Sequence, residues 1–212
     1  MPDHGRVDGD AVQVLPYGDR ALLVEVADLA AVAAVRAALE RRPLPGQQEV
    51  VPGARTVLVL LDRAPVASDA TLVRALRPER DGTESPGPLV EVPVVFDGPD
   101  LDEVAGLTGR SPAALVDELL ATELTVAFGG FAPGFAYLSG LPGHLHVPRR
   151  ATPRTRVPAG AVGLAGPFAG IYPTASPGGW QLVGRTDAVL FDVGRQPPAL
   201  LRPGVRVRFL PC

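Results

Sequence analysis

The chain has 212 residues, and 46% of them are hydrophobic, which allows a substantial core and excludes a globally disordered protein. All 20 basic residues are arginine, which excludes Schiff-base chemistry on lysine and a Walker-type nucleotide loop. The single cysteine, Cys212, excludes an internal disulfide and a cysteine-based metal cluster.

The N-terminal sequence and the apolar runs bear on the location of the protein. The chain starts with MPDH, which is acidic and polar, and its longest apolar runs are too short to cross a bilayer. We therefore expect a cytoplasmic protein that does not enter a membrane.

Charge is unevenly divided along the chain. From residue 129 onward there are nine arginines and two acidic residues, a net +7, so the formal total of −3 leaves −10 for the first 128 residues. The C-terminal part is expected to meet anions or an acidic partner surface. Nucleic acid is not the expected anion, because the arginines are spaced through Pro/Gly loops and few aromatic residues are available to stack on bases.

The first 77 residues predict a small α+β unit, a sheet with helices on one face. The strands are short apolar runs, whereas apolar residues recur every three to four positions in the helices. The expected elements, in chain order, are strands at 12–15 and 21–26, a helix at 29–42, a strand at 57–61 and a helix capped by Asp69.

A domain boundary is predicted within residues 78–88, which are polar and rich in helix breakers. We expect an N-terminal α+β domain over residues 1–84 and a second domain over residues 85–212. The second domain is predicted to open with a strand at 89–96, followed by two helices that begin at Asp100 and at Ser111.

The last 84 residues contain 26 glycines and prolines, and their apolar runs are short. Many short strands between tight turns are typical of an all-β barrel or sandwich. Strands are expected at 125–128, 161–164, 181–183, 189–191 and 205–209.

Residues 128–138, with the sequence FGGFAPGFAYL, are the densest candidate for a binding site. Glycines beside aromatic residues let backbone amides approach a ligand while the rings form the walls of a pocket. The alternative is a corner of the barrel core, in which Phe131 and Phe135 are simply buried.

Residues 148–158 carry arginines between prolines, and the prolines exclude a helix there. In an extended run Arg150, Arg154 and Arg156 share one face. Such a row suits a carboxylate, a phosphate or an acidic strip on a partner. A solvated basic loop is the alternative.

Residues 172–186 contain the only tryptophan, Trp180, directly after two glycines. Trp180 can form a pocket wall, with Arg185 as an anion anchor and the hydroxyl of Thr186 beside it. The segment is equally compatible with a structural turn.

The usual catalytic groups are sparse. Ser139 and Ser176 lack an adjacent base, and the sequence contains no Gly-x-Ser-x-Gly elbow. His144 and His146 would share a face on a strand, but no acidic or cysteine ligand lies nearby. We expect structural or solvent-exposed histidines, no metal site, and only part of an active site in this chain.

Motifs along nearly the whole chain carry a resemblance to a known family. In chain order they are GDRALLVE at 18–25, GFAPGFAYL at 130–138, PR at 148–149, TPR at 152–154, VPAGAV at 157–162, IYP at 171–173, SPGGW at 176–180, GRT at 184–186 and LLRPGVRVRF at 200–209. The sequence thereby resembles the B-subunit family of 5-oxoprolinase, also called allophanate hydrolase subunit 1 or Kip-type kinase inhibitor. It is similar as well to subdomains C and D of the carboxyltransferase domain of urea carboxylase.

The resemblance implies a small N-terminal α/β sandwich domain followed by a cyclophilin-like β-barrel. It further implies two partners, the C subunit of 5-oxoprolinase, with a related barrel, and the A subunit. The complex would open 5-oxoproline to glutamate with ATP, accompanied by magnesium, as co-substrate. The resemblance also leaves open an inhibitor of a sensor histidine kinase and a carboxyltransferase component acting on carboxybiotin.

Together the motifs define a candidate site for substrate or partner. Members of the family often carry a histidine on the helix before GFAPGFAYL, where this chain has DELL at 117–120, so no catalytic residue is assigned. The candidate binding residues are Phe131, Pro133, Phe135, Tyr137, Arg150, Arg154, Tyr172, Trp180, Arg185 and Thr186.

Overall fold

The computed structural model describes residues 12–76 and 87–212. The chain divides into two compact units, Met1–Glu84 and Ser85–Cys212. The domain boundary expected between residues 84 and 85, and most of the expected linker, lie outside the described residues. Within the described part of the chain, no helix is long and apolar enough to cross a membrane.

The first unit is a four-stranded antiparallel sheet whose apolar face packs against two helices. Its elements in chain order are β1 (Gln13–Tyr17), β2 (Ala21–Glu25), α1 (Leu29–Arg41), β3 (Gln47–Pro52), β4 (Thr56–Leu61) and α2 (Ala67–Ala75). The strand order is β1-β2-β4-β3. Alternate residues of β4 are buried in one core cluster with residues of both helices, which is the α+β arrangement expected from the sequence.

Two expectations for this unit were wrong or incomplete. Asp69 does not cap α2 from outside but lies within its first turn, where its carboxylate accepts the backbone N–H of Val66 at 2.8 Å and two bonds from Arg63 at 2.8 and 2.9 Å. Strand β3 was not predicted, because its first residues are polar and give no apolar run. Its antiparallel hydrogen bonds with β4 stabilise the strand, although its own residues do not favour one.

The second unit is built around a curled seven-stranded sheet. Its elements in chain order are β5 (Leu89–Val94), α3 (Leu101–Leu107), α4 (Pro112–Ala121), β6 (Glu123–Gly129), β7 (Ala136–Ser139), a 3-10 helix (Gly143–Leu145), β8 (Arg154–Val157), β9 (Ala161–Ala165), β10 (Phe168–Ile171), β11 (Ser176–Gly178), β12 (Gln181–Arg185) and β13 (Arg206–Pro211). The sheet order is β12-β9-β10-β7-β6-β13-β5, and β8 and β11 form a separate ribbon.

The two ends of this sheet meet. Val95, directly after β5, exchanges two backbone hydrogen bonds of 2.9 Å with Arg185 at the end of β12. The curled sheet therefore joins its own edges, and its apolar interior is filled by residues such as Leu138, Leu164 and Phe209. The expected α+β fold with a barrel-like second domain is confirmed.

The local elements of the second unit agree with the sequence in part. Helix α4 begins as predicted, because the Ser111 hydroxyl accepts the N–H of Ala114 at 3.2 Å. The strand expected at 189–191 is absent from this described region, where Phe191 forms only an isolated bridge with Ala199. Strands β7, β10 and β11 were not predicted, because they are only three or four residues long, and β10 and β11 also contain glycine or proline.

Asp100 occupies the position before α3, as expected, but its side chain makes no capping hydrogen bond. The two histidines do not share a strand face. His144 lies in the 3-10 helix and contacts Glu118 at 2.5 Å, whereas His146 follows that helix and contacts the Leu141 carbonyl at 3.1 Å.

Candidate functional site

The loop between β6 and β7 places an aromatic ring at the surface under backbone strain. Phe131 has φ of +69° and is the one non-glycine residue with positive φ in the described part of the chain. Its side chain is 61% exposed. This conformation costs a non-glycine residue about 1–2 kcal/mol, and such strain concentrates at functional sites.

Phe135 is the centre of an aromatic cluster behind that loop. It is buried, and neighbouring rings meet it edge to face, as aromatic pairs prefer. The ring centroids lie 5.3 Å away for Phe131, 5.1 Å for Tyr137, 5.4 Å for Tyr172 and 5.5 Å for Trp180. The cluster unites residues from three separate sequence segments.

These rings line one side of a cavity of about 130 Å³. An apolar cavity of about 150 Å³ holds one benzene molecule, so this cavity has the size for a single small ring. Its lining consists of Phe131, Phe135, Tyr137, Arg149, Tyr172, Gly178, Gly179 and Trp180.

The glycine at position 178 is required by close packing in this wall. A Cβ on Gly178 would overlap the hydroxyl of Tyr172. The SPGGW sequence therefore serves two purposes, since its first glycine, Gly178, admits the Tyr172 ring and its tryptophan continues the aromatic wall.

Arg149 gives the cavity its charge. It is exposed, and it forms no ion pair with any residue that the structure describes. Its guanidinium group therefore keeps its donors available for an anion, and a carboxylate can accept two of them at once.

Tyr172 is almost completely buried beside Arg149. Burial raises the pKa of Tyr172, and the hydrogen bond from the Trp180 backbone N–H and the charge of Arg149 only partly oppose this effect. Tyr172 therefore stays a neutral phenol at physiological pH and offers a hydroxyl rather than a base.

Arg150 and Arg154 lie near the cavity but are held by an acidic residue. Both guanidinium groups donate to the same carboxylate oxygen of Asp100, each at 2.7 Å. Arg156, the third arginine of the predicted row, is exposed.

The remaining predicted residues lie outside the cavity lining. Arg185 is 57% exposed and donates to Asp97 at 3.0 Å. The buried Thr186 accepts the N–H of Ala188 at 3.2 Å through its hydroxyl, and Pro133 is exposed in the loop after Phe131.

Sequence reasoning missed two residues of this region, Arg149 and Asp100. Arg149 was visible only as part of the PR motif at 148–149, where its neighbour Arg150 looked equally suitable. Among the described residues, no group of His, Cys, Asp and Glu could hold a metal ion.

The sequence matches the model of the carboxyltransferase domain, subdomain C and D, over residues 12–201. The B subunit of 5-oxoprolinase from Escherichia coli O157:H7 is 45% identical over 174 residues, 79% of each chain. The B subunit of 5-oxoprolinase from Bacillus subtilis strain 168 is 35% identical over 218 aligned positions, which cover 95% of this chain and 90% of that one.

Solved structures show the same architecture. TTHA0988 is 37% identical with a TM-score of 0.75 over 91% of this chain, which spans only 40% of that longer protein. The Kluyveromyces lactis urea carboxylase is 22% identical, with a TM-score of 0.74. The match covers 95% of this chain and 22% of the carboxylase chain, and it shows a shared fold. The chain therefore belongs to the B-subunit family of 5-oxoprolinase, within the carboxyltransferase domain fold of subdomains C and D.

Proposed function

We propose that this chain is the B subunit of an ATP-dependent 5-oxoprolinase, which opens 5-oxoproline to glutamate together with the A and C subunits of that enzyme. The observation that carries the proposal is the identity of 45% and 35% to two 5-oxoprolinase B subunits across most of each chain. Use of ATP as co-substrate, with magnesium, favours the cytoplasm as the location of the complex.

The cavity suits the proposed substrate. 5-Oxoproline is a single five-membered ring with one carboxylate, and the cavity of about 130 Å³ has the size for one small ring. Phe135, Tyr172 and Trp180 would contact the faces and edges of the ring, while Arg149 would bind the carboxylate through a bidentate pair. The exposed Phe131 would cover the ring from the solvent side.

The chemistry explains why ATP is needed. A lactam carbonyl is a poor electrophile, and transfer of the γ-phosphoryl group of ATP to its oxygen makes its carbon open to attack by water. Water adds to that carbon and the ring C–N bond breaks as the nitrogen takes a proton, which leaves an acyl phosphate. A second water hydrolyses the acyl phosphate and releases the phosphate. The products are glutamate, ADP and phosphate.

This chain supplies only part of what that reaction requires. Besides the indole N–H of Trp180, the polar side chains of the cavity lining are those of Arg149, Tyr137 and Tyr172, and Tyr172 is held neutral. The sequence also contains no lysine for a phosphate-binding loop. We assign the nucleotide site and the base that activates water to the partner proteins.

A partner surface is available beside the cavity. Val189, Phe191 and Val193, on the segment after β12, are 61%, 36% and 88% exposed, and we call these three residues together with the exposed Phe131 the apolar rim. The loop of Phe131 lies against this rim, because a Cβ on Gly134 would come within 2.6 Å of the Cβ of Phe191.

Arg195 fixes the backbone of the segment that carries Val189, Phe191 and Val193. Arg195 donates to the carbonyls of Val189, Leu190 and Pro198 at 3.1, 3.1 and 2.9 Å. A preordered apolar loop is suited to docking, since little conformational freedom is lost on binding. We assign the C subunit to the apolar rim, a position that would complete the cavity; the greater length of TTHA0988 is consistent with a second body beside this fold.

Two other functions are favoured less. A carboxyltransferase component rests on the urea carboxylase likeness, which at 22% identity concerns the fold alone. Inhibition of a sensor kinase needs an acidic partner surface for the arginines, but most arginines of residues 150–208 already bond acidic residues or backbone carbonyls of this chain.

Reconstitution with the A and C subunits of the same organism tests the proposal. We expect 5-oxoproline-dependent release of ADP and glutamate only when all three proteins are present. Val193→Asp should weaken assembly without lowering the melting temperature, because the side chain is exposed. Full turnover by the A and C subunits without this chain, or by this chain alone, would contradict the proposal.

A further inference from the structure

Asp100 is a buried carboxylate at a helix N-cap position, but its side chain does not cap the helix. It stands before helix α3 and is 2% exposed, yet it makes no side-chain cap for that helix. Its Oδ1 atom accepts Nη1 of Arg150 and Nη2 of Arg154, both at 2.7 Å, and its Oδ2 atom accepts the backbone N–H of Leu182 at 2.7 Å.

Each of these three bonds ends on a segment that forms the cavity wall. Arg150 follows the cavity residue Arg149, and its own backbone N–H donates to Gly179 at 2.8 Å. Arg154 is paired across the β8–β11 ribbon with Gly178, another lining residue. Leu182 stands two positions after Trp180 and also accepts the backbone N–H of Asp100 at 2.9 Å.

The charge of Asp100 is essential to this arrangement. Burial opposes its ionisation, but the bonds from Arg154 and the Leu182 N–H, with the charges of both arginines, outweigh burial, so the pKa of Asp100 lies below its ordinary value. Three donors converge on two oxygens that carry no proton. An asparagine at this position would replace one of the two oxygens by an NH2 group. That group is a donor, and it would face either the arginine donors or the Leu182 N–H, which are also donors.

We propose that Asp100 is a positioning residue that fixes Arg149 relative to Trp180 in the cavity. Its single carboxylate joins the segment that carries Arg149 to the segment that carries Trp180, although neither cavity residue touches it. A consequence for 5-oxoproline binding rests on the proposed function, whereas the effect on cavity geometry does not.

The first unit offers a matched control. Asp69 is 1% exposed, binds Arg63 through two bonds and accepts a backbone N–H from Val66. It belongs to the other compact unit, whose core cluster shares no residue with the cavity lining. Asp69→Asn therefore removes the same kind of buried charge without changing the Asp100 bonds.

Trp180 provides a readout that does not depend on activity, because it is the only tryptophan and is 5% exposed. In the isolated full chain, Asp100→Asn should shift Trp180 emission to the red and increase its quenching by acrylamide, whereas Asp69→Asn should leave both unchanged.

In the reconstituted complex, Asp100→Asn should lower kcat/KM for 5-oxoproline by up to about 100-fold, the loss that a misplacement near 1 Å produces. Asp100→Glu, which keeps the carboxylate, should restore part of it.

Wild-type emission and quenching in folded Asp100→Asn, or equal changes in both asparagine variants, would overturn the proposal. If Asp100→Asn does not fold, Arg154→Gln takes its place, because this variant leaves Asp100 paired with Arg150. Arg154→Gln should still shift Trp180 emission, and wild-type emission in this variant would count against the proposal. A wild-type complex without oxoprolinase activity would refute the proposed function, while the fluorescence result would still decide the role of Asp100.

Discussion

Arg149 and Arg150 are adjacent in the chain, but their guanidinium groups face different surroundings. Arg149 lines the aromatic cavity and forms no ion pair with the described residues, whereas Arg150 donates to the buried Asp100 at 2.7 Å. One arginine is thus available to a ligand, while its neighbour contributes to the wall that holds the ligand.

Arg149→Gln should lower kcat/KM for 5-oxoproline in the reconstituted complex without lowering the melting temperature of the chain. Loss of a charge-assisted bond corresponds to about 1.5–3 kcal/mol, or about 10- to 100-fold. Arg149→Lys should lie between, because it keeps the charge but loses the bidentate geometry. Arg156→Gln is the control, since Arg156 is exposed in the same basic segment and lines no part of the cavity. Equal losses of kcat/KM in Arg149→Gln and Arg156→Gln would mean that the overall positive charge of the segment matters, and that Arg149 has no specific role.

Arg154→Lys and Arg185→Lys should separate two arginines that the sequence presents alike. Arg154 binds buried Asp100, so its replacement should lower the melting temperature and activity together. Arg185 and Asp97 form an exposed pair, and such pairs contribute about 0–1 kcal/mol, so Arg185→Lys should leave the melting temperature nearly unchanged. Thermal melts beside activity of the complex measure both effects. A stable Arg154→Lys with normal activity would contradict the structural role of the Asp100 bond.

The parts of the site that could be predicted are those encoded locally. The loop at 128–138 and the SPGGW segment combine glycines with aromatic rings, and both contribute to one cavity. Helix α4 was recognisable because Ser111 and Pro112 are adjacent start signals.

The missed features depend on contacts between distant residues. Asp100 is separated from Arg150 by 50 positions and from Arg154 by 54, and no local pattern reveals that pairing. The local sequence therefore predicts a helix cap at Asp100 and anion ligands at the arginines. Strand β3 was missed for the same reason, since its place in the sheet depends on β4.

A fragment comprising residues 87–212 should fold without the first unit. Its sheet begins with β5, which pairs in parallel with the last strand, β13, and its edges join through Val95 and Arg185. Its apolar core consists only of residues of this unit. We expect a cooperative thermal transition and native-like Trp180 emission from the fragment. A broad, non-cooperative melt would mean that the two units depend on one another for folding.

Two replacements of Phe131 should weaken binding alike but differ in stability. Phe131→Gly and Phe131→Ala both remove a ring that is 61% exposed and lies 5.3 Å from Phe135, so both should weaken 5-oxoproline binding to a similar degree. Only the glycine variant also removes the strain of φ +69°, because glycine adopts positive φ readily and alanine does not. Phe131→Gly should therefore be more stable than Phe131→Ala by about 1 kcal/mol, measured as the difference in unfolding free energy in urea. The alanine variant serves as the control for loss of the ring, since the two replacements differ by one methyl group. Equal stability of the two variants would mean that the loop relaxes to negative φ once the ring is gone, and that the ring itself holds the strained backbone.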